Sequence, residues 1–233
     1  MNAMSQIFFG PDGAPLHKPE DVINFLGKGL DHWKEDRSAY QAAYSWFTAK
    51  DLPPRIRDIL KGDPAFSTAV LERVVFEKKT RLDSFGRESQ TDVLAYLKGS
   101  KGITLLGVEA KVDETFGPLV GEWNDYGPGK LRRLVGLLDR LEFKSKPIGG
   151  LRYQLFHRTA ATLIEAQEAG ARDAAVIVQS FDEKQTGFHD FAAFAEAFGT
   201  PISGVGKLSH PKQLGTTAIR LGWTKNPIYI AKI

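Results

Sequence analysis

Two apolar runs on either side of a polar turn constrain this chain more than any other feature in it. Thr91-Asp92-Val93-Leu94-Ala95-Tyr96-Leu97 and Ile103-Thr104-Leu105-Leu106-Gly107-Val108-Glu109-Ala110-Lys111 flank Lys98-Gly99-Ser100-Lys101-Gly102. Both runs are strand-like and the segment between them has turn composition, so the pair reads as a β-hairpin. If Lys98 pairs with Ile103 around a four-residue loop, antiparallel counting sets Asp92 opposite Glu109, and Lys111 shares the face of Glu109. Directly opposed carboxylates, with Cβ atoms about 5 Å apart, repel each other. A sequence that builds such a pair needs a compensating cation, and a divalent hard metal is the natural candidate.

The rest of the chain sets the limits. At 233 residues, with 42% apolar and 25% charged residues, it can bury a sizeable core and has ordinary globular composition. The absence of cysteine excludes disulfides, thiolate zinc sites and a cysteine nucleophile, so any metal must be held by oxygen or imidazole. No run approaches the ~20 apolar residues of a membrane span and no leader precedes the first elements, which points to no membrane and a cytoplasmic location. Met4, after Met1-Asn2-Ala3, offers a possible native start. The net charge of +3 is unevenly spread. Lys130, Arg132, Arg133, Arg140, Lys144, Lys146, Arg152 and Arg158 stand against only Asp139 and Glu142, a net +6 that leaves −3 elsewhere. This is either a phosphate-facing basic surface or a solvated helix face.

Periodicity predicts a helical N-terminal extension over residues 1–65 and an α/β core with a mixed sheet over residues 66–233. Pro19-Glu20-Asp21 starts a helix, Asp36 to Lys50 forms a second, and Pro53-Pro54 precedes a short third. The aromatic cluster Trp33, Tyr40, Tyr44, Trp46 and Phe47 reads as packing. Ser67-Thr68 is expected to cap a helix through Lys78, and residues 80 to 90 to make a loop or short strand. Further helices are expected from Lys130 to Leu141, Leu151 to Ala169 and Phe188 to Phe198. Ala174 to Val178 reads as a buried strand and Ile228-Tyr229-Ile230 as an edge strand.

The order of helix, acid-bearing hairpin with Asp then Glu-x-Lys, helices and buried strand resembles the PD-(D/E)xK phosphodiesterase superfamily over residues 66 to 180. That resemblance implies a restriction-endonuclease-like core in which Asp92 and Glu109 bind Mg²⁺ or Mn²⁺, with the Ala110 carbonyl completing the protein ligands, while Lys111 assists the attacking water. Thr91 stands where the superfamily often has proline. Members often supply a further glutamate from the preceding helix, for which Glu72 and then Glu77 are candidates. Two carboxylates and a carbonyl suit Mg²⁺, which takes oxygen ligands and keeps several waters. Asp113 lies on the same face as Glu109 and Lys111 and is a possible extra ligand. On the long helix, Gln154, His157 and Arg158 cluster on one side, with Arg152 nearby, as candidates for positioning phosphate.

The phrases Gly107-Val108-Glu109-Ala110-Lys111-Val112-Asp113-Glu114 and Leu151-Arg152-Tyr153-Gln154-Leu155-Phe156-His157-Arg158-Thr159 extend the likeness across most of the chain, to a bacterial family of domains of unknown function. No glycine-rich phosphate loop, His-x-x-x-His pair or nucleophile elbow is present. The resulting expectation is a Mg²⁺-dependent nuclease acting on nucleic acid, which could work as a homodimer. Its rivals are an inactive nucleic-acid or protein binding module on the same fold, and a hydrolase of a small phosphorylated molecule.

Overall fold

The hairpin forms in the expected register. β3 (Ser89–Gly99) and β4 (Gly102–Lys111) pair antiparallel, with Lys98 opposite Ile103; the ladder closes one step further, at Gly99 opposite Gly102. The computed structural model describes residues 6–27, 29–125, 127–143 and 147–230, so Met1 to Met4, Lys144 and Lys146 lie outside the described residues.

Five further strands complete a seven-stranded mixed sheet in the order β1-β2-β3-β4-β5-β7-β6. β2 (Val70–Thr80) extends the hairpin into an antiparallel meander, and β1 (Phe8–Phe9) adds a short parallel edge. On the other side, β5 (Asp173–Ser180) and β7 (Thr217–Lys225) run parallel to β4, and β6 (Lys212–Leu214) pairs antiparallel with β7. α1 (Ser38–Ala49) and α2 (Pro54–Leu60) cover one face of the sheet. α4 (Pro128–Arg140), α5 (Tyr153–Glu168) and α6 (Phe188–Phe198) cover the other, with a single turn, α3 (Val120–Trp123), leading into α4.

Because both faces are covered, β3 reads as a continuous apolar run rather than an alternating one. Val93, Ala95 and Leu97 pack with Trp46, Ile56 and Phe76 beneath α1 and α2, whereas Leu94 packs with Leu105, Phe156 and Leu163 beneath α5. The N-terminal helices are thus built into the sheet's hydrophobic core. Trp46 donates its indole N–H to Gln179 Oε1 at 3.1 Å, and Gln179 Nε2 donates to Ser45 Oγ at 2.9 Å, tying α1 to β5. The expected aromatic packing is present, with Tyr40 and Tyr44 ring centroids 4.3 Å apart.

Two expectations are corrected. Residues 70–80 form a strand rather than a helix. Leu71, Val74 and Val75 do recur at helical spacing, but a bulge between Leu71 and Arg73 interrupts the period of two, and the run continues as Val-Val-Phe beside β3. Ile228-Tyr229-Ile230 is not a strand; the C-terminal strands are β6 and β7, nearer the middle of the tail. There, Arg220 is buried and paired with Asp63 at 2.5 Å and Asp173 at 2.8 Å. The helix expected from Pro19 is present and winds as a 3-10 helix over Pro19–Phe25.

Candidate functional site

α5 lies closely against the sheet because β4 carries a glycine beneath it. A Cβ at Gly107 would sit 1.9 Å from Thr162 Oγ1 and 3.0 Å from both its Cβ and Cγ2. That contact brings the N-terminal turns of α5 over the open end of the hairpin. β4 alternates there: Val108 and Ala110 pack in the core beneath α1, which turns Glu109 and Lys111 to the α5 side.

Asp92 lies one step past the last ladder pair, Val93 opposite Val108, so the register sets it opposite Glu109 as counting predicts. The strands part at this step. The Ala110 N–H donates to Asp92 Oδ2 at 2.8 Å instead of to a strand carbonyl. Glu109 is buried and gripped by three side chains. Gln154 Nε2 donates to its Oε1 at 2.6 Å, Lys111 Nζ lies 3.2 Å from the same oxygen, and Arg158 Nε donates to Oε2 at 2.5 Å. Gln154 and Arg158 stand four apart on α5, one turn of helix, so both reach the same carboxylate. Lys111 Nζ also donates to Gln154 Oε1 at 3.2 Å and to the Thr115 carbonyl at 3.4 Å.

A third acid joins these from β2. Glu77 is buried, accepts a hydrogen bond from Gln90 Nε2, and lies in the left-handed region at φ 54°. A non-glycine residue there costs on the order of 1–3 kcal/mol, and such strain concentrates at functional sites.

The three carboxylates titrate apart. Burial, reinforced by Glu109, holds Asp92 well above the usual carboxylate range. Burial also pushes Glu77 up to about 7. For Glu109, burial is outweighed by Arg158 and Lys111, and the group stays below its ordinary value. Arg158 is raised, because Glu109 and Asp92 outweigh its own burial. His157 is pushed well below its ordinary value by burial and then by Arg158, so it is neutral near pH 7; its Nδ1 lies 2.9 Å from Ser89 Oγ, which also accepts from Arg158 at 3.1 Å.

Asp92, Glu109, Lys111, Gln154 and Arg158 are therefore brought together, with His157 beside them. Two candidates lie elsewhere. Glu72, read as a metal ligand from a helix, is on the bulged end of β2, exposed and 3.6 Å from Lys98, about 15–20 Å along the strands from Asp92. Arg152 donates to Asp190 at 2.7 Å and to the Gly117 carbonyl at 2.7 Å. Ala110 contributes its amide, to Asp92. Ser89 and Gln90, which run into Asp92 in the phrase Ser89-Gln90-Thr91-Asp92 that shares the family likeness, also join the site, though their residue types signal no role.

The basic stretch is not a uniform surface. Lys130 pairs with Asp125 at 2.9 Å, Arg133 with Asp83 at 2.7 Å, Arg152 with Asp190 and Arg158 with Glu109. Half of its eight cations are thus neutralised locally.

Two grooves among the described residues lie away from this cluster. One of about 650 Å³ lies between Phe8, Leu16, Phe47 and Leu71, and another of about 740 Å³ lies between Ile59, Val205 and Tyr229. Neither gathers perturbed acids with buried cations, so the chemistry favours the hairpin end. Among the described residues, no three or more His, Cys, Asp or Glu side chains gather closely enough to hold a metal ion by themselves. A hard divalent ion would rest on Asp92 and Glu109 with water completing its shell. The fit rests on Asp92, whose carboxylate has no protein cation within 4.0 Å among the described residues.

The chain belongs to the family described as Domain of unknown function (DUF6946), which matches residues 15–228. No curated protein and no solved structure matches it. Among the described residues, no helix is long and apolar enough to cross a membrane.

Proposed function

We propose that this member of the DUF6946 family is a Mg²⁺- or Mn²⁺-dependent phosphodiesterase of PD-(D/E)xK type that hydrolyses nucleic acid at Asp92, Glu109 and Lys111. One observation carries the reading: the aspartate and the Glu-x-Lys of a hairpin meet on a single sheet face, beneath a helix that supplies Gln154 and Arg158. The element order also supports it, with helices, a three-strand meander, the α5 crossover and a strand parallel to β4.

Asp92 and Glu109 would hold the ion. When bound, it would acidify a water molecule and offset charge on the phosphoryl oxygens. Lys111, held by Glu109, Gln154 and the Thr115 carbonyl, would offer its ammonium to a nucleophilic water or a phosphate oxygen. Arg158 keeps Glu109 ionised at neutral pH. His157, being neutral, serves as a hydrogen-bond partner for Ser89 rather than as a phosphate cation.

The test is cleavage of single- and double-stranded DNA and RNA by purified protein with Mg²⁺ or Mn²⁺. Asp92→Asn and Lys111→Met are each expected to lower turnover at least ~100-fold, with circular dichroism checking that each variant is folded at the assay temperature, because Lys111→Met also takes a cation from Glu109. Equal rates in both variants and the parent would remove the assignment.

A second reading, a binding module without turnover, is favoured by the engagement of both Glu109 oxygens by protein donors. It predicts nucleic-acid affinity without metal-dependent cleavage and no Mn²⁺ heat at the cluster in calorimetry.

A further inference from the structure

One side of the candidate site carries a surface that the cluster itself does not use. The connection between β2 and β3, residues 81–88, leaves the sheet at Thr80, whose hydroxyl donates to Glu165 at 2.6 Å, and returns at Ser89, the partner of His157 and Arg158. Its tip is held in shape. Asp83 accepts from Arg133 of α4 at 2.7 and 3.1 Å and from the amides of Phe85 at 3.1 Å and Gly86 at 2.6 Å. The loop's return at Ser89, 2.9 Å from His157 and 3.1 Å from Arg158, ties this end of the pinned segment to the site.

On this scaffold Phe85 is 48% exposed, with the Arg132 guanidinium carbon 5.0 Å from its ring centroid. A phenylalanine left half in water on a braced loop costs apolar exposure that packing does not recover. Arg132 lies against this ring and is exposed, as are Arg81 and Arg87 of the same loop as Phe85, and none of the three has an ion-pair partner among the described residues. Glu88 is the only acid of the loop apart from Asp83, which Arg133 already neutralises. The surface combines an aromatic ring with unpaired, planar cations next to a candidate phosphodiester site.

We infer that residues 81–88 and the first turn of α4 form a landing surface for single-stranded nucleic acid. Phe85 supplies the stacking face for an unpaired base, and Arg81, Arg87 and Arg132 contact the flanking phosphates. Single strands are the matching ligand because they expose base faces, which duplexes keep stacked inside, and stacking on an aromatic side chain tolerates any sequence. The inference deepens the phosphodiesterase reading and rests on it for its biological sense, but it is tested without turnover.

The experiment is fluorescence anisotropy of the full chain in EDTA. The probes are labelled oligo-dT and oligo-U of about 20 nucleotides and a duplex of the same length. The single strands are expected to bind more tightly than the duplex. Phe85→Ala is expected to weaken single-strand binding by about 5- to 100-fold, and Phe85→Trp to retain it. Arg132→Gln is expected to flatten the salt dependence by about 0.7 in log–log slope. Phe85 is exposed, so its replacement does not threaten folding, and an unchanged melting temperature verifies this. Absence of single-strand binding by the parent protein, or equal affinity in Phe85→Ala, overturns the inference. Binding that depends on Phe85 in a protein that never cleaves sinks the phosphodiesterase reading alone. Cleavage that survives with binding indifferent to Phe85 sinks this inference alone.

Discussion

Replacing Arg158 with methionine tests whether the cluster is a charge-balanced unit. Three carboxylates, Glu77, Asp92 and Glu109, face two buried cations, Lys111 and Arg158, with the first two acids shifted toward their neutral forms. Near pH 7 the ionised Glu109 and the two cations dominate, and Arg158 is the shorter contact, at 2.5 Å against 3.2 Å for Lys111. Methionine fills much of the same space but leaves Glu109, whose side chain is 5% exposed, with one cation fewer. Breaking a buried pair from one side costs about 3–5 kcal/mol, because the remaining charge is left desolvated. At about 2–4 °C per kcal/mol for a chain of this length, the melting temperature should fall by roughly 6–20 °C in a calorimetric scan in EDTA. Adding Glu109→Gln to Arg158→Met removes the carboxylate that the first change exposes but takes the ion-pair partner from Lys111, so the two losses should be less than additive rather than cancel. A drop under about 3 °C for Arg158→Met, or strictly additive losses in the double variant, would refute the charge-balance account.

Two other perturbations bear on the same architecture. Gly107→Ala drives a methyl into Thr162 and should cost about 1–3 kcal/mol in urea denaturation; Thr162→Ala, which removes Oγ1 and Cγ2, should recover part of the loss, and an indifferent Gly107→Ala would contradict the close α5 contact. Glu77, raised to about 7 from 4.5, favours its protonated form in the fold, so its contribution is fully present below about pH 4.5 and lost as pH rises through 7. Glu77→Gln escapes that loss, so its stability advantage should open between pH 4.5 and 7 to at most about 3 kcal/mol; a gap that stays flat from pH 5 to 8 would argue against the raised pKa.

The parts of the fold that sequence makes legible are those specified locally. The hairpin register follows from alternation and a glycine-flanked turn, and Lys98 does face Ile103. The helix starting near Leu151 keeps its apolar spacing and appears as α5, and Phe188–Phe198 is α6. Where a backbone irregularity intervenes, periodicity misleads. The bulge at Leu71/Arg73 makes β2 look helical, and on a helix Glu72 stands ahead of Glu77 as a site glutamate, whereas on the strand it is Glu77 that faces the cluster. β7 was hidden for a different reason. Arg220 and Gly222 look like loop residues until Asp63, Asp173, Ile59 and Leu208 are brought around them from elsewhere in the chain. In the site, residue types on one element were readable, whereas the neutralisation of Glu109 by Arg158 depends on how α5 settles over β4.

The grip of Gln154 and Arg158 on one carboxylate has an evolutionary corollary. Neither helix residue can drift without stranding its strand partner, and that partner cannot lose its charge without stranding an arginine. Among homologous chains, positions 109, 154 and 158 are expected to covary as a block, either kept together or exchanged together for an apolar set. A homologue carrying the glutamate alone would have to import a counter-charge from another direction.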